Sequence, residues 1–155
     1  MATTTAAITI TSSDLVGDAL SLSTSKQIYK AGTVVGLEQT TGISRVILTA
    51  TTQIDLFNPV RTAAADAGKT NWVYICNKAV DETEYVTVKI ANQTLGKLYA
   101  GDFLWMPWNR SARFIDLSLT PSSGAAATGA IIDYGLFYES LEHLASTDAR
   151  TFTDE

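Results

Sequence analysis

The chain has one cysteine, one histidine and three prolines in 155 residues, and charged side chains make up only 17% of it. Each shortage excludes something. With Cys76 alone, no internal disulfide can form. One histidine and one cysteine also fall short of the ligand set of a zinc site. There is no basic run: eleven Lys and Arg are scattered against sixteen Asp and Glu, for a net charge of −5. Sequence-independent binding to nucleic acid needs clustered cations that displace counterions, so no nucleic-acid partner is expected. No apolar stretch approaches the roughly 20 residues that span a bilayer, so no membrane partner is expected either. Residues 1–11 show no cationic region followed by an apolar one, which predicts no secretory leader and synthesis in a cytosol.

The low charge has a further consequence. Soluble proteins usually carry about 25% charged residues. Here 17% stands against 46% hydrophobic, which implies that part of the surface meets other protein. The length suits one domain with a full core that needs neither metal nor disulfide staples.

What is present is a two-residue rhythm in a chain rich in Thr, Ser, Ala and Gly. Ala7-Ile8-Thr9-Ile10-Thr11 and Ala19-Leu20-Ser21-Leu22-Ser23 alternate apolar and polar residues. Gln27-Ile28-Tyr29, Val34-Val35-Gly36-Leu37 and Ser44 to Thr49 are short β-prone runs bounded by turn residues. Asn71 to Asn77 (NWVYICN) and Glu84 to Ala91 (EYVTVKIA) are stronger, and Lys78 to Thr83 between them reads as a polar hairpin loop. In the second run Val86, Val88 and Ile90 share one face and Tyr85, Thr87 and Lys89 the other, as a half-buried antiparallel strand requires. Gly101 to Pro107, Ala112 to Thr120 and Ala130 to Glu139 complete the set, with a small-residue loop before the last. Roughly eight to ten short strands predict an all-β, antiparallel sandwich over residues 1–139. Helix is scarce. Ala63 to Asp66 suits one turn, and 140–155 reads as a short C-terminal helix followed by a polar tail, since Leu141, Leu144 and Ala145 fall on one helical face.

The search for chemistry ends without a catalytic, cofactor-binding or metal-binding assignment. Ala63 to Thr70 (AAADAGKT) fits a relaxed phosphate-loop pattern, but a helix must follow such a loop to aim its amides at phosphate. The residues that follow, Asn71 to Cys76, read as a strand, so a turn is the favoured reading. His143 lies beside Glu139 and Glu142 with no nucleophile in view. Cys76 shares a face with Trp72 and Tyr74 and reads as a small buried apolar side chain. Asp81, Glu82 and Glu84 read as a solvated turn, without the spaced ligands and central glycine of a calcium loop. Asp102, Asp116 and Asp133 are expected to face outward or to pair with Arg110 or Arg113. Tyr99, Phe103, Trp105 and Trp108 form an aromatic cluster, with core the favoured reading and an interface or sugar-stacking platform the alternatives. Alternation puts Phe103 and Trp105 on one face and Leu104 and Met106 on the other. It leaves open which of Phe103, Trp105 and Trp108 are core and which are interface.

The order NWVYICN, acidic loop, EYVTVKI, GDFLWMP, ARFIDLSL and AIIDYGLFYE over about residues 71–139 resembles the jelly-roll capsid decoration (cement) proteins of tailed bacteriophages. The resemblance implies a non-enzymatic virion protein on the capsid exterior, a homo-oligomer with a trimer favoured, whose partner is the major capsid protein. Such a protein clamps adjacent shell subunits, and binding only the assembled shell stabilises it by mass action. Another virion part (tail, fibre or head-to-tail component) and a carbohydrate-binding sandwich using Trp105 or Trp108 are the alternatives. An enzyme is not expected, because no nucleophile, base and orienting group can be assembled from these residues.

Overall fold

The computed structural model describes residues 3–13, 19–30, 32–37, 39–57, 71–108 and 117–139. In chain order the elements are β1 (Thr4–Ser12), β2 (Leu20–Ile28), β3 (Gln39–Thr40), β4 (Ser44–Leu48), β5 (Ile54–Phe57), β6 (Asn71–Asn77), β7 (Tyr85–Ile90), β8 (Gln93–Tyr99), β9 (Phe103–Pro107), β10 (Leu117–Pro121), α1 (Ser123–Thr128) and β11 (Ala130–Tyr138). Among the described residues every strand pairing is antiparallel.

Two sheets form the body. One runs β5-β10-β7-β8; the other runs β3-β11-β6-β9, with β4 also paired to β11. The all-β sandwich expected from the sequence is what folds. Its inner faces follow directly from period two. Val73 and Ile75 of β6 and Ala130, Ile132 and Leu136 of β11 meet Val86 and Val88 of β7 and Leu117 and Leu119 of β10 in one buried cluster. The alternation in β7 places Val86 and Val88 inward as predicted. The pairings are nested: β4 with β11, β5 with β10, β6 with β9, and β7 with β8.

One polar side chain ties the sheets together. Asn77 is fully buried at the end of β6. Its Nδ2 donates to the Leu98 carbonyl of β8 in the opposite sheet at 3.0 Å, and its Oδ1 accepts from the Ala79 amide at 3.0 Å. Burial without those partners would cost on the order of 1–3 kcal/mol, so the network makes the buried amide tolerable.

Several elements differ from the sequence pattern. The loop from Lys78 to Thr83 is not a hairpin: β6 and β7 lie in different sheets, so the segment crosses between them. The hairpin is instead β7–β8, closed by Ala91 and Asn92, both with positive φ (49° and 63°). Two successive left-handed residues make the turn whose twist matches the flanking strands. Strands β5 and β8 were not expected, and Ala19–Ser23 and Gln27–Tyr29 belong largely to one strand, β2. The small-residue loop before the last strand contains α1. Ser122 caps it by accepting the Ala125 amide, and Gly129 ends it in the left-handed region at φ 85°. Ala125 and Ala126 are buried on it, so small side chains let the helix lie close to the sheets. The expected turn at 63–66, the phosphate-loop-like run 63–70, His143, Arg110, Arg113, Asp116 and the tail 140–155 lie outside the described residues.

β1 and β2 stand apart as a two-stranded ribbon in full register from Thr4–Ile28 to Ser12–Leu20. Its base is tied to the segment that follows β2. Ile28 and Leu37 are buried, the Leu37 amide donates to the Ile28 carbonyl, and the Thr4 hydroxyl donates to the Leu37 carbonyl at 3.0 Å.

Candidate functional site

The outer face of the β3-β11-β6-β9 sheet is strongly aromatic. Period two turns Trp72 and Tyr74 of β6, Phe103 and Trp105 of β9, and Phe137 of β11 away from the core. Trp105 stacks on Trp72 with ring centroids 5.3 Å apart and meets Phe137 edge-on at 5.2 Å. Offset and edge contacts of this kind suit the ring quadrupoles. Leu104 and Met106 point the other way and pack on the core, as the alternation predicted.

The four-residue aromatic cluster inferred from sequence is therefore split three ways. Phe103 and Trp105 belong to this outer face, and Phe103 is 61% exposed. Trp108 is core, at 3% exposed, so it offers no stacking platform to a sugar. Tyr99 lies in the other sheet, where it meets Tyr85 at 5.3 Å and Lys97 sits over the Tyr85 ring at 4.0 Å. Sequence spacing alone did not separate them, because Tyr99 and Phe103 flank a turn that switches sheets.

The ribbon runs alongside the aromatic surface. A cleft of about 910 Å³ separates Thr4 to Thr11 of β1 from Tyr74, Phe103, Trp105 and Phe137. A second, of about 750 Å³, lies between Ala6, Ile8, Thr24 and Lys26 of the ribbon and Trp72 and Trp105. Cross-strand partners share a face, so one ribbon face carries Ile8, Ile10, Leu20 and Leu22, and the other is almost wholly Thr, Ser and Ala.

The β4 side of the same sheet face is open and aliphatic. Ile43 and Ile47 are 57% and 59% exposed, and Ile47 sits opposite Ile131 on β11. Between them lies a forked ion pair. Arg45 Nε donates to Asp133 Oδ1 at 2.6 Å and its Nη2 donates to Oδ2 at 2.9 Å. Asp133 is expected from sequence to face outward or to pair with Arg110 or Arg113; it lies on the outer face, and register brings Arg45 directly opposite it. The signal was available only once β4 was known to pair with β11.

That ion pair sets a pH dependence. The hydrogen bond from Arg45 holds the Asp133 carboxyl below its usual range against the opposing effect of burial, with the Arg45 charge adding to it. A carboxylate whose folded pKa is depressed contributes stability above its unfolded value, and that contribution disappears as pH falls through the folded value. Asp133→Asn should therefore be less stable than wild type near neutrality, and the gap should close as urea titrations move below about pH 4. The effect is small, since Arg45 is largely exposed and solvent screens the pair.

The remaining candidates are structural. Cys76 is buried, as expected, and burial pushes the neighbouring Tyr74 phenol up, with hydrogen bonding to Cys76 adding to it. Asp81 accepts from both the amide and the hydroxyl of Thr83, which lowers its pKa. Glu84 departs from the solvated-turn reading. It is buried and accepts the Thr128 hydroxyl at 2.6 Å, joining the start of β7 to the end of α1. Asp102 accepts the Tyr99 amide and closes the β8–β9 turn. Among the described residues no group of three or more His, Cys, Asp or Glu is placed to hold a metal ion, and no helix is long and apolar enough to cross a membrane. No family model, curated protein or solved structure matches the chain.

Proposed function

We propose that the chain is a structural virion protein that sits in many copies on the outside of a bacteriophage capsid and clamps adjacent shell subunits. The nested pairing of β4 with β11 around β5–β10, β6–β9 and β7–β8 supports the jelly-roll part of this reading, because a jelly roll is an eight-stranded chain folded back on itself and wrapped into two sheets. The observation that carries the docking part is the open aliphatic half of the outer sheet face. Ile43 and Ile47 flank an ion pair and are more than half exposed. Exposed apolar side chains grouped on one open sheet face, here astride an ion pair, favour a contact with another macromolecule. The partner is the major capsid protein, the location is the particle exterior, and the reading assigns the chain no catalysis. Copies are expected to associate with one another; three-fold symmetry rests on the sequence resemblance alone.

Co-sedimentation with assembled shells that lack this chain tests the reading. Saturable binding to shells, and none to isolated shell subunits, is expected. Ile47→Lys should weaken that binding at least ten-fold, because it desolvates a cation in the contact. Its unfolding temperature should stay within about 2 °C of wild type, since the position is exposed. A wild-type chain with no affinity for shells would overturn the proposal.

A further inference from the structure

The ribbon presents an edge with no partner. Among the described residues β1 pairs with β2 alone, so its other side carries free amides and carbonyls along Thr4 to Thr11. These eight successive residues, from both faces of the strand, line the larger cleft. The strand therefore offers the cleft its backbone edge as well as its side chains.

Proteins normally protect such an edge with a lysine, a proline, a bulge or a covering loop. Thr4 to Thr11 contains no charged residue and no proline, and its pairing with β2 shows no register shift. The flanking apolar face is open too: Ile8 is 37% exposed, and Ile10 and Leu22 are 47% exposed. A two-stranded ribbon alone is marginal in water, so further strands on this edge would stabilise it.

We infer that the occupant of this edge is β1 of a second copy of the chain, paired antiparallel about a two-fold axis at Ile8. The sequence of the strand is close to symmetric about that residue. Ile8 meets its own counterpart, Ala6 meets Ile10, Ala7 meets Thr9, and Thr5 meets Thr11. Every apolar residue of the even-numbered face stays on one side, where a one-residue slip would bury Thr against Ile. Charge permits the contact. Each copy carries a net −5, but the paired segment is neutral, so no like charges face one another across the axis. The product is a continuous four-stranded sheet, β2-β1-β1-β2, with an isologous interface.

This inference does not rest on the capsid reading, and its symmetry differs from the three-fold that the resemblance implies. Sedimentation equilibrium and cysteine cross-linking of the full chain test it. The wild type should be a dimer, with a dissociation constant on the order of micromolar for so small a contact. Ile8→Lys sets two ammonium groups opposite each other and should raise that constant at least ten-fold. Ile8→Cys should oxidise readily to a disulfide-linked dimer, because directly opposed residues lie about 4.5–5.5 Å apart, within disulfide reach. Ala6→Cys is on the same face but would lie about 13 Å from its counterpart, and it should not cross-link. Both positions are on the ribbon, away from the core, so the body should fold in each variant. A monomer, a trimer without the Ile8→Cys bond, or equal cross-linking at positions 6 and 8 would overturn the two-fold pairing while leaving shell binding to be judged separately.

Discussion

Gly135→Val is expected to destabilise the sandwich by about 3 kcal/mol or more, the upper end of what overpacking costs. Gly135 lies in β11, on the outer side, where the connection between β3 and β4 crosses over it. A Cβ there would stand 2.7 Å from the Gly42 carbonyl oxygen and 2.9 Å from Ile43 Cδ1. The oxygen cannot simply retreat. Thr41 donates its amide to the Leu136 carbonyl at 2.9 Å, and its hydroxyl accepts the Leu136 amide at 2.9 Å, clamping the crossing segment to β11. Valine would break that clamp and expose the neighbouring core. Gly96→Ala on β8 is the control. Nothing lies within 4 Å of a Cβ built there, so its cost should stay within the ~1 kcal/mol range of strand propensity. Urea midpoints of the two variants against wild type measure the difference.

The second large effect is expected in the middle of the core. Ile132 is fully buried between Val46 of β4 and Asn77 of β6, its register partners on either side. Ile132→Ala should cost about 2–5 kcal/mol, and Ile132→Val only about 0.5–1.5 kcal/mol, because the penalty follows the cavity left behind. Ile47→Ala removes the same side chain from the exposed face of the neighbouring strand and should move stability by only about 0.5 kcal/mol. Equal losses at 132 and 47 would mean that the assignment of inner and outer faces is wrong. Thermal unfolding monitored by circular dichroism separates these outcomes.

Alternation made the inner and outer faces of β7 and β9 legible in the sequence, because a side-chain period of two depends only on the strand itself. What stayed hidden depended on partners. β8 was missed because its turn is Ala91-Asn92 rather than an Asn-Gly or Asp-Gly pair, and because Gly96 and Lys97 dilute its apolar pattern. The crossing from β6 to β7 looked like a hairpin because two good strands separated by a polar loop usually pair; here each finds other neighbours. α1 was hidden because Ala, Ser and Gly suit a loop as well as a short helix, and only packing against the sheets decides. The ion pair between Arg45 and Asp133 spans most of the body in sequence, and pairing of the first and last strands of the nest creates it.

The candidate surface was partly legible in the same way. Phe103 and Trp105 were placed on one face from spacing alone. Core was the favoured reading of the aromatic cluster as a whole, and the fold buries only Trp108 of the four, which removes one of the two indoles that a sugar-binding site would have used. The open aliphatic half around Ile43 and Ile47 was not anticipated. Neither residue stands out in a β-prone run, and their exposure follows from β4 lying at the margin of its sheet with its outer face uncovered by other described residues.

For the proposed capsid role, an image of a phage particle containing this chain is the most direct test. The account predicts density for the sandwich on the outside of the shell, in numbers comparable with the shell subunits, with the Ile43 and Ile47 side of the sheet turned toward them. A particle with only a few copies, confined to the tail or its attachment vertex, would contradict it.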